Sequence, residues 1–90
     1  LVNPTGTSGM RYLSASLGLE VKSPEVIEQL KERDLQVRDL LIQILSTRTV
    51  DLLTDAAARE TMRREILQRI NQMVGGNKLS AVYFVDYVLQ

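Results

Sequence analysis

The side chains able to do chemistry in this chain are carboxylates, lysines and tyrosines, because the sequence has no His and no Cys. That removes the commonest general base, any thiol nucleophile and the usual zinc and transition-metal ligands. Asp34, Asp39 and Asp51 remain as carboxylates that could pair as acid and base. Each also has a structural explanation: a helix cap for Asp34, an ion pair for Asp39, a wet helix surface for Asp51. Capping and paired carboxylates far outnumber catalytic ones. The expectation is a non-enzyme, with no catalytic residue, no metal ligand and no cofactor site.

Two of these aspartates belong to a doubled motif, Arg33-Asp34 and Arg38-Asp39. Five residues turn a helix by about 500°, so the second pair faces about 140° away from the first. One solvated charge stripe would not look like that, so some of these charges lie against the protein body or a partner. Two readings stay open. In one, Arg38 pairs back to Asp34 one turn away and Asp39 meets a basic neighbour. In the other, Arg33 or Arg38 reaches a second subunit, where its planar fork holds a carboxylate.

Other candidates have plainer readings. Arg59, Arg63, Arg64 and Arg69 are interrupted by Glu60 and Glu65, each four residues before an arginine in the favourable orientation for a helical ion pair. No aromatic is interleaved, so a solvated helix face is favoured over a nucleic-acid patch. Gly6, Gly9 and Gly75-Gly76 match no phosphate-binding fingerprint and read as turns.

The elements that must carry these residues follow from periodicity. Leu1 and Val2 can end an edge strand, and Asn3-Pro4 with Gly6 and Gly9 makes a loop. Residues 11–21 alternate, with Leu13, Ala15, Leu17, Leu19 and Val21 on one side and Tyr12, Ser14, Ser16, Gly18 and Glu20 on the other. Ser23-Pro24-Glu25 opens a helix whose inner stripe is Val26, Ile27 and Leu30. Asp34 would interrupt that stripe, which predicts a break at 32–34 with Asp34 capping a second helix lined by Val37, Leu40, Leu41, Ile44 and Leu45. Thr49 caps a short turn, and Thr54-Asp55 caps a helix over about 56–74 lined by Met62, Ile66, Ile70 and Met73. Gly75-Gly76-Asn77 stops it.

A last strand over 79–89 has one wholly apolar or aromatic face (Leu79, Ala81, Tyr83, Val85, Tyr87, Leu89) and one mixed face (Ser80, Val82, Phe84, Asp86, Val88). A strand apolar on both sides wants cover on both. The fold class is α+β: a small, mainly antiparallel sheet with several helices on one face. The long helical region leaves the direction of the last strand open.

The smooth outer side of strand 11–21, with its small residues and Tyr12, would let another chain lie close, and Phe84, Val82 and Val88 need cover that a partner subunit could supply. The candidate partner or oligomer contacts are therefore Tyr12, Arg33, Arg38 and Asp39.

Composition sets the outer limits. Ninety residues make one domain, 1–90, burying only about two-thirds of its unfolded surface. Hydrophobic residues are 44% of the chain, and two Pro with five Gly are too few for disorder. Eleven basic residues balance eleven acidic ones, so no net charge draws the chain to nucleic acid or anionic lipid. No segment approaches the length of a membrane helix. The chain opens on Leu1 rather than Met, and a fragment of something longer is expected.

Several pieces, in order and at the right spacing, resemble one family. They are Leu1-Val2-Asn3, then Arg11-Tyr12-Leu13 through Leu19-Glu20-Val21, then Arg33-Asp34 with Val37-Arg38-Asp39, Ile42 and Leu45-Ser46. Glu65-Ile66 with Ile70-Asn71 and Val82-Tyr83-Phe84 with Val88-Leu89-Gln90 complete the set. Together they resemble the periplasmic domain of the FliL family of flagellar basal-body-associated proteins. Ala56-Ala57-Ala58 departs from the pattern, where members often carry Gly. The resemblance implies a stomatin/SPFH-like fold and, ahead of this domain, a short cytoplasmic tail and one inner-membrane helix. It also implies a homo-oligomeric ring around the MotA/MotB stator that stabilises its active state and supports torque, motility and swarming, without catalysis or nucleic acid. The alternative is a stomatin-like membrane scaffold that binds another membrane protein outside the flagellum.

Overall fold

The computed structural model describes Val2, Pro4 and residues 12–90. Within these, the unbroken alternation of the first strand produces β1 (Leu13–Val21), followed by α1 (Pro24–Glu32), α2 (Asp34–Ser46), α3 (Val50–Thr54), α4 (Ala56–Met73) and β2 (Leu79–Leu89). The expected loop residues Asn3, Gly6 and Gly9, together with Leu1 and Arg11, lie outside the described residues. β1 and β2 pair antiparallel from Leu13–Leu89 to Val21–Leu79, which closes the question of direction. Val2 adds a single bridge to Leu13 on the side of β1 away from β2. The fold is thus α+β, with a two-stranded antiparallel sheet carrying its helices on one face.

A two-stranded ladder is marginal alone; the helices supply the rest of the core. Leu13, Leu17, Leu19 and Val21 turn toward them, as the period of two requires. Val37, Leu40 and Ile44 of α2 meet Ile66 and Ile70 of α4 over Leu79 and Val82 of β2. Met62, Leu45 and Leu53 close around Leu13 at the other end. Of the expected α1 stripe, Val26 is buried, Leu30 packs against the core, and Ile27 is instead exposed. α1 is short and touches only one side of the core, so one residue per turn suffices.

The inner face of β2 differs from expectation. Register shifts leave Ser80 and Val85 without partners on β1. Each is a β-bulge, and each changes the parity of the strand. The core side therefore carries Leu79, then Val82 and Phe84, then Tyr87 and Leu89. Ala81, Tyr83 and Val85 lie on the other side. Two bulges thus sort a strand apolar on both faces, sending Val82 inward, fully buried, and Tyr83 outward. A Cβ at Gly18 would meet Val85 Cγ2 at 3.4 Å, an ordinary van der Waals contact, so the second bulge does not demand glycine there.

Capping explains the starts of α3 and α4 and the end of α4. Asp55 accepts the Ala58 amide at 2.7 Å and Thr49 accepts that of Leu52 at 3.4 Å. Gly75 and Gly76 take positive φ of 92° and 129° and end α4. The break between α1 and α2 stands at Arg33, which is both the C-cap of one and the N-cap of the other. Asp34 is the first helical residue rather than the cap, and its carboxylate turns to Arg38 instead of to a backbone amide. Ser23 precedes α1 without capping it through its side chain; Glu25 carries the local charge, its carboxyl held below the usual range by its own backbone amide and then by the Ser23 hydroxyl.

Candidate interaction surface

Because the helices occupy one side of the sheet, no element among the described residues covers the other. Ser14, Ser16 and Gly18 of β1 supply little side-chain bulk there, so the β2 residues opposite them dominate the surface. Tyr83, Val85 and Val88 are exposed on it, and Tyr12 extends the row beyond the start of β1. Tyr83 donates its hydroxyl to Glu20 Oε2 at 2.7 Å. That bond holds the ring across the strands and pushes the phenol above its ordinary pKa. Tyr12 also anchors the sheet end through paired backbone bonds with Gln90 of 3.1 and 2.7 Å.

The charged candidates sit elsewhere. Arg38 Nε lies 2.9 Å from Asp34 Oδ2 and forms an exposed ion pair. Asp39 accepts from Gln43 Nε2 at 3.0 Å, a polar neighbour rather than a basic one. Arg33 donates to Gln36 Oε1 at 3.3 Å. Each of these bonds is local to α2 and wet, so each is worth a few tenths of a kcal/mol. The structure brings Arg38 and Asp34 together, keeps Arg33 and Asp39 on the same helix, and places Tyr12 apart from all three, on the sheet side. Asp51 lies in the first turn of α3, and the aspartates form no shared site.

The basic series of α4 is consumed internally. Arg63 and Arg64 both pair with Glu60, and Arg69 pairs with Glu65 at 3.9 Å. Arg63 holds the Glu60 carboxyl below its usual range, and that pair in turn raises the guanidinium. Arg59 stacks over the Tyr87 ring at 4.9 Å.

Two clamps escaped sequence reasoning. Asn71, at the end of α4, accepts the Lys78 and Leu79 amides at 2.8 and 2.7 Å and donates to the Leu79 carbonyl at 3.3 Å. Arg63 donates to the Val82 carbonyl at 3.2 Å. An Asn one turn before a Gly-Gly stop is the signal that could have found the first. Nothing in the spacing marks the second.

The likeness to known proteins runs over the whole chain. The family model "Flagellar basal body-associated protein FliL" matches residues 1–90. The chain belongs to the FliL family. It is 29% identical over 90 residues to the flagellar protein FliL of Aquifex aeolicus (strain VF5), covering 100% of this chain and 56% of that relative. It is 31% identical over 86 residues to the flagellar protein FliL of Bacillus subtilis (strain 168), covering 96% of this chain and 61% of that one. The chain therefore spans a little over half the length of the curated relatives it matches. None of its helices, among the described residues, is long and apolar enough to cross a membrane.

Proposed function

We propose that this FliL domain is a non-catalytic structural and regulatory part of the bacterial flagellar motor. In the full-length protein it is periplasmic, carried by a cytoplasmic tail and a single inner-membrane helix that precede it. Copies assemble into a ring around the MotA/MotB stator, stabilise the stator's active state and so support torque, motility and swarming. Family membership over the whole chain favours this flagellar setting over a scaffold for some other membrane protein.

The observation that carries the assembly reading is the separation of the candidate contacts. Tyr12 belongs to the open sheet side, whereas Arg33, Arg38 and Asp39 belong to α2. Head-to-tail rings need two different, mutually complementary patches on each protomer. A row of exposed apolar and aromatic side chains on one side and mixed charge on another suits that geometry. Membrane anchoring raises the effective concentration of copies, so weak contacts suffice.

In-cell crosslinking of the full-length protein, with cysteines in pairs at positions 12 and 33 or 12 and 38, tests this. The expected outcome is adducts between positions 12 and 33 or 38 of neighbouring copies, and adducts with the stator. A protein that stays solitary at every position, with no stator adduct, refutes it.

A further inference from the structure

The outer side of α2 carries a patch that reads alike in both directions. Leu35, Arg38, Asp39 and Ile42 fall within an arc of about 100° on the helix. That arc is turned away from Val37, Leu40 and Ile44, which face the core. Leu35 keeps 81% of its surface exposed and Ile42 50%. Each stands three positions outside the adjacent Arg38 and Asp39. The order is therefore apolar, cation, anion, apolar, evenly spaced about a point between the two charges.

Both charges have capacity to spare. Arg38 uses Nε on Asp34 Oδ2. Asp39 accepts the Gln43 side-chain amide on Oδ2. Among the described residues no second carboxylate pairs with Arg38 and no cation pairs with Asp39. Neighbours in a helix point about 100° apart, so these two do not face each other.

A two-fold contact requires a surface complementary to itself, in which residue i meets j and j meets i. Laying a second α2 antiparallel across this patch, centred between Arg38 and Asp39, satisfies that condition at every position. Leu35 meets Ile42 of the second copy, Ile42 meets Leu35, and Arg38 meets Asp39 twice. Competing arrangements do worse. A parallel pairing sets Arg38 against Arg38 and Asp39 against Asp39. Sliding one helix by a turn sets Leu35 against Arg38 or Ile42 against Asp39. Both penalties favour one register over its alternatives.

We propose that α2 makes a two-fold, antiparallel contact with α2 of a second copy of this chain, with Leu35 packed on Ile42 and Arg38 holding Asp39 on both sides of the axis. The Arg38 fork then lies between its own Asp34 and Asp39 of the second copy, which gives the doubled Arg-Asp motif a use. This contact closes at two copies, so it is distinct from a head-to-tail ring and does not rest on one. Both would use Arg38, so a paired copy withholds that surface from ring assembly. The patch buries roughly a few hundred Å², below the ~1,200 Å² of a standard stable interface. Pairing is therefore weak in dilute solution and shows at the local concentration of a membrane-held protein.

The test crosslinks the full-length protein in membranes of cells lacking MotA and MotB. Leu35→Cys is carried by one tagged copy and Ile42→Cys by a second, and a short bis-maleimide joins them. The mixed adduct should exceed either like-with-like adduct at least about fivefold, because like positions lie about 10 Å apart along the paired helices. Arg38→Asp should cut the mixed adduct about fivefold. Adding Asp39→Arg to it should restore the adduct, since position 38 again meets opposite charge at position 39 of the second copy. Circular dichroism of the purified full-length variants in detergent confirms that they fold. Equal mixed and like adducts, or no adduct without the stator, overturn the proposal. So does a folded charge-swapped variant that fails to recover. The ratio of mixed to like adducts decides the matter even where the charge variants misfold.

Discussion

Deleting Val85 should leave the domain folded, although the residue lies in the middle of an eleven-residue strand. Asp86 pairs with Ser16 and Phe84 with Leu17, so Val85 is the unpaired extra residue between them. Without it, Phe84 still faces inward, Asp86 outward and Tyr87 inward, and the ladder becomes regular from Leu13 to Glu20. Val85 keeps 68% of its surface exposed, so its contacts hold under about 1 kcal/mol of the ~1.5–3 kcal/mol available to a fully buried side chain of this kind. Ordering one residue fewer relieves about 1–2 kcal/mol of backbone entropy. The net change is expected within ~1 kcal/mol of zero. Ser16 is the control. β1 has no bulge, so its deletion turns Leu17, Leu19 and Val21 outward, or Leu13 and Ala15 if the other half slips. Either outcome removes several side chains from the core, at roughly 3 kcal/mol or more in all, against the ~5–15 kcal/mol that holds a domain together. Urea denaturation of both variants, followed by circular dichroism, measures the difference. A Val85 deletion that costs more than about 2 kcal/mol, or a Ser16 deletion equally well tolerated, refutes the bulge argument.

Asn71→Ala removes the acceptor for two strand amides and the donor to the Leu79 carbonyl; the expected loss is about 2 kcal/mol in chemical denaturation, since the groups it leaves are largely shielded from water. Arg38→Glu replaces an exposed ion pair with a like-charge pair one turn apart, so the melting temperature should fall only slightly while motility of cells carrying the full-length variant drops; a variant that unfolds would make Arg38 an internal strut. Tyr87→Phe forfeits the bond from its hydroxyl to the Leu53 carbonyl at 2.6 Å, about 1 kcal/mol, and changes the alkaline behaviour. Burial raises the Tyr87 phenol, with Arg59 opposing, so its contribution is complete below the unfolded value near ~10 and declines as pH climbs through the higher folded value. Tyr83 is raised in the same sense by Glu20, so the Tyr87→Phe variant should lose stability less steeply above that pH than the parent, without becoming flat.

Legibility in the sequence tracked how local each determinant is. β1 was readable because Leu13 to Val21 alternate without interruption and the strand carries no bulge. α4 was readable because Asp55 caps it and Gly75-Gly76 end it, both within a turn of the helix they control. β2 was readable as a strand but not by face. With Val82, Phe84 and Val88 as apolar as their neighbours, the pattern carries no mark of where parity changes, and the bulge exists only relative to β1, more than sixty residues earlier. Asp34 was placed on the right boundary and one position off, because its pairing with Arg38 competes with capping and prevails. The distribution of Tyr12, Arg33, Arg38 and Asp39 over two sides of the molecule depended on the tertiary fold, which no local pattern marks.

That distribution bears on how the domain would work. The β2 side of the sheet is fixed to the helices: Arg63 holds the Val82 carbonyl, Asn71 holds both backbone groups of Leu79, and Tyr87 reaches the Leu53 carbonyl. The β1 side has Val2 at one end and an apolar groove along the rest. A body rigid along one edge and receptive along the other transmits load unequally. Force on β1 would pass through the ladder to β2, then through Asn71 and Arg63 into α4, which carries the ion pairs of Glu60 and Glu65. A strand pulled along its length shears many ladder bonds together, so such a connection resists force better than the same bonds opened in sequence. Weakening Asn71 should then loosen β2 from α4 without altering a single exposed contact, separating mechanical coupling from surface recognition.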